Sequence, residues 1–313
     1  AMQCLKKLRG LLAFYCLALF FHPLMVDGQA TLHLAVVPPY YTPLIDPIHA
    51  AGTMNGWQET GGISQMTPNI DGTYSISFNG TPGQLVEYKY VRGDWARVET
   101  QLNGAFLPNR NFVFANGITV TDTVWNWEDQ LGLHTAVGNT HILTIAFNMP
   151  QLGRTRQIWV YLPQDYYVST DSFPVLYMQD GQNLFDEVST AFGTEWAVDE
   201  AMVAREDSGY KKLIVVGIDN GGGNRIDEYS PWVHPQYGGG QGDEYMNWLA
   251  NNLKPFIDSY FRTRSSRENT GLMGSSLGGL ISFYGGLQYQ NVFGKVGIFS
   301  PSYWFDDSCY VHT

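Results

Sequence analysis

"NTGLMGSSLGGLISFYGG", residues 269–286, is the stretch that decides the predicted fold. A short apolar run leads directly into Gly-Ser-Ser-Leu-Gly, and a glycine-rich helical pattern follows. This is the pattern G-x-S-x-G with Ser276 at its centre, which predicts a nucleophilic serine on a sharp turn from strand to helix. In so tight a turn, a side chain at Gly274 or Gly278 would collide with the neighbouring strand or helix. The alternative is that Ser276 is an ordinary N-cap serine.

Around this stretch, residues 139–313 alternate apolar runs with helical patterns. The runs are "HILTIAFNM", "QIWVYLP", "FPVLYMQDG" and "KLIVVGIDN". Such alternation predicts an α/β domain with a mostly parallel sheet. In residues 242–261 one helical face collects Tyr245, Trp248, Leu249, Leu253, Phe256 and Ile257. This pattern predicts an amphipathic helix that packs on the sheet.

Acyl transfer through a serine requires two N–H donors for the oxyanion. The first expected donor is the backbone of Leu277, directly after the serine, where the helix N-terminus adds its dipole. The second should come from the loop "MQDGQNLFD", residues 178–186, and we assign it to the backbone of Gln182. The alternative is a plain turn at Asp180 and Gly181.

Residues 31–129 have a different character. Short alternating runs such as "GTYSISFNG", "LVEYKYVRG" and "ITVTDTVWNW" are separated by Gly, Asn, Asp and Pro, with no helical period between them. This predicts an N-terminal all-β sandwich. Residues 130–138 are interpreted as a linker to the α/β domain.

Six motifs of residues 139–313 together resemble a known family. They are "RTRQIWVYLPQDY", "FPVLYMQDGQNLFD", "NRIDEYSPW", "LKPFIDSYFRT", "GSSLGGLISFYGG" and "GIFSPSYWF". This combination resembles the "putative esterase" family of α/β-hydrolases, which groups esterase D-like enzymes, enterochelin esterases and family 1 carbohydrate esterases. The resemblance implies a serine esterase that needs no cofactor, with an acid and a histidine that follow the serine in the chain.

The acid and the histidine are the parts that the sequence does not supply in the expected places. Downstream of Ser276 the acids are Asp306 and Asp307, and the histidine is His312. An acid and its histidine must lie on different loops for the imidazole to bridge carboxylate and serine. We therefore expect a truncated hydrolase domain, with acid and base beyond Thr313 and an open sheet edge.

The N-terminal part resembles the starch-binding, family 20 type of carbohydrate-binding module. The motifs are "GTMNGW" and "EYKYVRGDW", followed by "PNR". The resemblance implies that Trp57 and Trp95 stack on sugar rings while Lys89 and Asn109 hydrogen-bond hydroxyls. The segment "ARVETQLNGAFL", residues 96–107, is longer than in that family. The alternative is that both tryptophans fill the sandwich core.

The first thirty residues predict a signal peptide. A basic start precedes "GLLAFYCLALFF", and "VDGQA" offers small residues for cleavage near Ala30. The apolar run is shorter than the ~20 residues of a spanning helix, although an N-terminal anchor is the alternative. We expect a secreted or periplasmic protein with no stable membrane association after cleavage.

Charge and cysteine content narrow the function classes. The net charge is −11, and removal of residues 1–30 leaves −13, which disfavours nucleic acid as a partner. Cys4 and Cys16 leave with the signal peptide, and a lone Cys309 cannot form an internal disulfide. No Cys/His pattern has zinc spacing, so neither a metal nor another cofactor is predicted.

Three further features lie outside the G-x-S-x-G motif. "GIDNGGGNR", residues 217–225, lacks the Gly-Lys-Ser/Thr ending of a phosphate loop and is interpreted as lining the site. For Arg225, Glu228 and Tyr229 we expect a structural ion pair, with contact to the substrate as the alternative. His234 precedes Ser276 and is a poor general base in the order serine, acid, histidine.

The sequence thus predicts a secreted serine carboxylic-ester hydrolase with an acylated carbohydrate as its substrate and a starch-like glycan as its ligand. One alternative is a siderophore-type esterase or an acyltransferase of the same fold. Another is a non-catalytic carbohydrate-binding surface protein.

Overall fold

The computed structural model describes residues 30–306, apart from 40, 70, 71, 116, 131 and 133. The predicted signal peptide, except Ala30, lies outside the described residues, as do Asp307, Cys309 and His312. Among the described residues, no helix has the length and apolar character that crossing a membrane requires.

Short strands form the N-terminal part. They are β1 (Ala30–Val37), β2 (His49–Gly52), β3 (Thr67–Pro68), β4 (Tyr74–Gly80), β5 (Leu85–Val91), β6 (Glu99–Thr100), β7 (Arg110–Val113), β8 (Ile118–Thr123) and β9 (Asn126–Trp127). One sheet has the order β3-β4-β1-β8, a second has the order β2-β5-β7, and β6 pairs with β9. Short 3-10 turns occupy Thr53–Asn55 and Trp95–Arg97.

The two larger sheets share one apolar core. In β1, alternate residues Ala30, Leu32, Leu34 and Val36 are buried, as the strand period of two requires. They join residues of β5 and β7, such as Tyr88 and Phe112, in one buried cluster. Burying these apolar faces against each other stabilises the pair of sheets.

The remaining elements form an α/β unit. Its strands are β10 (Asn139–Met149), β11 (Arg154–Leu162), β12 (Val175–Gln179), β13 (Ile214–Ile218), β14 (Val233–His234), β15 (Gly238–Gly239), β16 (Thr270–Ser275) and β17 (Lys295–Phe299). Its helices are α1 (Val198–Asp207), α2 (Arg225–Glu228), α3 (Gly242–Trp248), α4 (Lys254–Tyr260) and α5 (Leu277–Gln288). A π-helical segment, Leu249–Leu253, joins α3 to α4, and 3-10 turns occupy Gly181–Asn183, Gly222–Asn224, Arg267–Asn269 and Tyr303–Phe305.

The central sheet of this unit is mixed, which corrects the expected mostly parallel sheet. Its order is β10-β11-β13-β12-β16-β17. The pairs β12–β13, β12–β16 and β16–β17 are parallel, whereas β10–β11 and β11–β13 are antiparallel. For β10 and β11 the physical reason is the short connection from Met149 to Arg154, because a tight hairpin can join only antiparallel strands.

The amphipathic face predicted for residues 242–261 packs on this sheet. Tyr245, Trp248, Leu249, Leu253 and Ile257 are fully buried, and Phe256 packs against the same cluster. The parallel strands β12, β13, β16 and β17 share a direction, so their carboxyl ends meet at one edge. That edge of an α/β sheet is where ligands usually bind.

Candidate active site

Ser276 lies on the predicted sharp turn. The strand β16 ends at Ser275, the helix α5 begins at Leu277, and Ser276 between them has φ 58° and ψ −123°. This conformation is rarely adopted by a residue with a side chain, and such strain is concentrated at functional sites. Three backbone hydrogen bonds hold it: Ser276 N donates to Phe299 O, and Ser276 O accepts from Ser302 N and Leu280 N, each at 3.0 Å.

The two glycines of the motif are required by close packing, as the sequence predicted. A Cβ atom on Gly274 would lie 2.3 Å from the carbonyl oxygen of Gly278, in the first turn of α5. A Cβ atom on Gly278 would lie 2.9 Å from Oδ2 of Asp180 and 3.0 Å from Cβ of Gln179. The motif therefore lets β16, α5 and the end of β12 approach one another closely.

Ser276 opens onto a cleft of about 490 Å³ at the carboxyl edge of the sheet. The cleft is lined by Met178, Gln179, Asp180, Gln182, Asn183, Leu184, Ala191, Phe192, Trp196, Asn220, Gly222, Arg225, Gly274, Ser275 and Ser276. Phe192 and Trp196 are well exposed at its rim, 81% and 51% respectively. An open cleft with aromatic rings at the rim and polar groups at the base suits an organic substrate.

The expected oxyanion donors come from two different elements. Leu277 is the first residue of α5, and the first N–H groups of a helix have no acceptor within it. Gln182 lies in the 3-10 turn after β12 and lines the cleft with Ser276. Its loop is held by hydrogen bonds from Ser189 Oγ to Gln182 O, 2.7 Å, and from Asn220 N to Gln182 Oε1, 3.0 Å. Their role as oxyanion donors remains a prediction.

Asp180 is a site residue that sequence reasoning missed. It has a positive φ of 60°, and its carboxylate accepts hydrogen bonds from Arg225 Nε at 2.6 Å and from Asn220 Nδ2 at 2.7 Å. The turn at Asp180 is therefore tied to the loop after β13 and is more than a plain turn. The sequence signal for Asp180 was that "QDG" and "IDN" each follow an apolar strand, where polar residues can meet at one edge of the sheet.

Glu228 forms a structural ion pair. It is fully buried and accepts from Arg154 at 2.8 Å and from Arg156 at 2.7 Å. Tyr229 is also fully buried, and its hydroxyl accepts the N–H of Asp180 at 3.1 Å. Of Arg225, Glu228 and Tyr229, only Arg225 lines the cleft.

The hydroxyl of Ser276 lies 3.0 Å from the hydroxyl of Ser302. His234, which the sequence disfavoured as a base, packs its ring on Tyr237 at 4.6 Å and on Phe305 at 5.4 Å. His312, the histidine downstream of Ser276, lies outside the described residues, as does Asp307. The described site thus contains the serine and its surrounding loops.

The residues expected to bind carbohydrate lie around the β2-β5-β7 sheet. The rings of Trp57 and Trp95 are 6.2 Å apart with an interplanar angle of 44°. Trp95 is 38% exposed, so the core-packing alternative does not hold for it. Lys89 is largely buried, donates to Leu107 O, and lies 4.7 Å above the ring of Phe106. Asn109 is exposed directly before β7.

The ammonium group of Lys89 therefore contacts residues 96–107, the segment that is longer than in the carbohydrate-binding family. Burial also lowers the pKa of Lys89. The tryptophan that fills the core is Trp127, which is fully buried and donates its Nε1–H to Thr42 Oγ1 at 2.7 Å. A platform made by Trp57 and Trp95 remains a prediction.

Comparison with known proteins identifies the family. The model of a family described as "Putative esterase" matches residues 149–308, which is half of the chain. The chain belongs to this esterase family. The matched residues include the whole of β16, Ser276 and α5.

Relatives of this esterase-family protein cover different shares of it. The protein YbbA of Bacillus subtilis, described as uncharacterized, is 31% identical over 159 residues, which are 49% of this chain and 59% of YbbA. An alpha-amylase of Niallia circulans is 42% identical over 93 residues, which are 29% of this chain and 7% of that protein. An amylopullulanase of Thermoanaerobacterium thermosulfurigenes is 37% identical over 99 residues, 30% of this chain and 5% of that protein.

Solved structures show weak overall likeness. An IroE-like serine hydrolase from Shewanella oneidensis has 26% identity and a TM-score of 0.43 over 52% of this chain and 51% of that chain. The enterobactin esterase FES from Shigella flexneri has 13% identity and a TM-score of 0.42 over 83% of this chain and 66% of that chain. This chain thus spans about half the length of the Shewanella hydrolase and 59% of YbbA.

Proposed function

We propose that this protein is a serine carboxylic-ester hydrolase with Ser276 as its nucleophile. The observation that carries the proposal is the strained backbone of Ser276, φ 58° and ψ −123°, between β16 and α5 at the base of a cleft. Membership of the esterase family over residues 149–308 supports the same chemistry.

In the proposed mechanism, Oγ of Ser276 attacks the ester carbonyl and a histidine outside the described residues accepts its proton. The N–H groups of Leu277 and Gln182 stabilise the oxyanion, with the positive end of the α5 dipole beside it. The histidine then protonates the leaving alcohol, and water hydrolyses the acyl-enzyme. The aromatic rim formed by Phe192 and Trp196 would hold the apolar part of the substrate.

We further propose that the substrate is an acylated carbohydrate and that residues 31–129 form a module that binds a starch-like glycan. The neighbouring rings of Trp57, which is partly buried, and Trp95, which is exposed, support this, because indole faces stack on the apolar faces of sugar rings. The matches to an alpha-amylase and an amylopullulanase cover 93 and 99 residues, the length of one such module. On this proposal residues 130–138 are the linker and residues 139–313 the hydrolase domain.

The proposed localisation rests on the sequence of the first thirty residues. The basic start and the apolar run of residues 10–21 support a cleaved signal peptide, and hence a secreted or periplasmic protein. An extracellular location agrees with a glycan substrate.

The ester-hydrolase proposal is tested by the turnover of a short-chain aryl ester, with protein that carries a complete hydrolase domain. Ser276→Ala should lower the rate by about 10³-fold or more, because the nucleophile is lost. Ser282→Ala is the matched control: this α5 hydroxyl is fully buried and makes no hydrogen bond within the described part. Equal rates for Ser276→Ala and the unmodified protein would mean that the chemistry lies elsewhere.

The glycan proposal is tested by retention on an affinity gel that contains soluble starch. Trp95→Ala should weaken retention without a loss of stability, since this ring is 38% exposed. Trp125→Ala removes an indole that is 56% exposed in the same part of the chain and serves as the control. Unchanged retention of Trp95→Ala, or no retention of the unmodified protein on any α-glucan, would refute this part of the proposal.

A further inference from the structure

Three carboxylates meet where the cleft loop joins helix α1. Glu195 precedes the helix, and Asp199 and Glu200 lie in its first turn. One carboxylate oxygen of each lies within 4.8 Å of those of the other two. Asp199 is fully buried. Among the described residues, no Lys, Arg or His forms an ion pair with any of the three.

Two oxygens of this cluster are buried without a partner. Asp199 Oδ2 accepts the N–H of Val137 at 2.6 Å, but within the described part Oδ1 has no hydrogen bond. Glu195 Oε1 accepts from Thr135 Oγ1 at 2.7 Å, whereas Oε2 is likewise buried and unbonded there. A buried carboxylate oxygen that has lost its water and gained no donor is costly. Both oxygens need a cationic or a protonated neighbour.

Two sources of compensation exist within the protein. The N-terminus of α1 carries roughly half a positive charge, which is too little for three carboxylates. A proton shared between the neighbouring carboxyl groups of Asp199 and Glu200 is the other source. A shared proton leaves Glu195 Oε2 without a donor, so it satisfies only part of the cluster.

We propose that Glu195, Asp199 and Glu200 bind one Ca²⁺ ion. Ca²⁺ takes oxygen ligands at about 2.3–2.6 Å, so two ligands on opposite sides of one ion lie about 4.8 Å apart. The spread of the three oxygens, 4.8 Å at most, therefore fits a single ion of this size. Carboxylates and water are the ligands that a hard cation prefers, and water molecules complete the coordination.

The ion would fix the rim of the cleft. Glu195 is followed by Trp196, which lines the cleft, and Trp196 N donates to Asn183 O at 2.9 Å. Through Glu195 and Asp199 the ion links this loop to α1, while Thr135 and Val137 hold the same carboxylates from the side of β10. Calcium binding thus orders the substrate side of the cleft and takes no part in the reaction at Ser276.

The test measures the thermal midpoint of the chelator-treated protein, its change on addition of CaCl₂, and bound calcium per chain by equilibrium dialysis. At a calcium concentration about 100-fold above Kd, the midpoint should rise by about 5 °C or more, with one ion bound per chain. MgCl₂ at the same concentration should give a smaller rise, because Mg²⁺ demands a tighter octahedral shell.

Two variants and one control make the test specific. Asp199→Asn and Glu195→Gln keep the hydrogen bonds to Val137 and Thr135 but remove a ligand charge, and each should abolish the calcium-dependent rise. Asp207→Asn, at the exposed far end of α1, should keep it. Two results overturn the proposal. One is the absence of a calcium-dependent rise in the unmodified protein, with Asp199→Asn more stable than it in chelator, as a shared proton predicts. The other is a rise of equal size in all four proteins.

Discussion

Substitution of Gly274 by alanine tests whether the close approach of β16 and α5 creates the conformation of Ser276. The new Cβ would lie 2.3 Å from Gly278 O and 2.5 Å from Gly278 C, both of which are backbone atoms. Ordinary contacts between such atoms are about 3.5–4.0 Å, so strand and helix would have to separate by about 1 Å.

Overpacking of this kind costs roughly 1–3 kcal/mol, and about 2–4 °C of thermal midpoint is lost per kcal/mol in a protein of this size. We therefore expect Gly274→Ala to lower the midpoint by about 2–12 °C. Displacement of a reacting group by about 1 Å can also lower turnover by about 100-fold.

The assay compares thermal unfolding and aryl-ester turnover of Gly274→Ala with those of Gly223→Ala. A Cβ atom on Gly223 would meet no other atom within 4 Å, and the backbone of Gly223 does not have a positive φ. The free energy of unfolding of this control should therefore stay within about 0.5 kcal/mol of that of the unmodified protein. A midpoint and a turnover of Gly274→Ala equal to those of Gly223→Ala would refute the reasoning, because the motif glycine would then be dispensable.

Two further predictions concern buried charges of the α/β unit. Glu228→Gln leaves Arg156 buried without its carboxylate and should cost about 3–5 kcal/mol in chemical denaturation. Lys212→Met, at a solvent-exposed ion pair with Asp165, should cost far less. Similar losses for both variants would contradict this. Burial raises the pKa of Asp219 to about 7, against the opposing effects of the Trp159 hydrogen bond and the Arg156 charge. A raised carboxyl pKa confers stability below the unfolded pKa, and this stability is lost as pH rises towards 7. The thermal midpoint of Asp219→Asn should therefore rise relative to that of the unmodified protein between pH 5 and pH 8. A constant difference between the two midpoints over that interval would count against the prediction.

Local chemistry explains why the Ser276 region could be predicted from the sequence. The turn, its glycines and the first residues of α5 are consecutive in the chain, so their constraints are visible in one short motif. The amphipathic face of residues 242–261 was predictable for the same reason, since a single helix period defines it.

Features that depend on distant residues were not predictable. Asp180 and Arg225 are 45 residues apart, and only the adjacency of β12 and β13 in the sheet brings their loops together. Glu195 and Asp199 are about 60 residues from Thr135 and Val137 in the chain, so their contacts depend on the tertiary fold. Likewise, alternation in the strands could not show that Trp127 is buried while Trp95 is exposed.

The most direct test of the central claim is covalent labelling with a fluorophosphonate, followed by mass spectrometry of the digested protein. Such a reagent modifies a serine whose hydroxyl is activated and whose oxyanion is stabilised. The account predicts a single adduct on Ser276, on the peptide that also contains Ser275, with the site resolved by fragmentation and lost in Ser276→Ala. Labelling that persists in Ser276→Ala, or an adduct on another residue with ester hydrolysis intact, would contradict it.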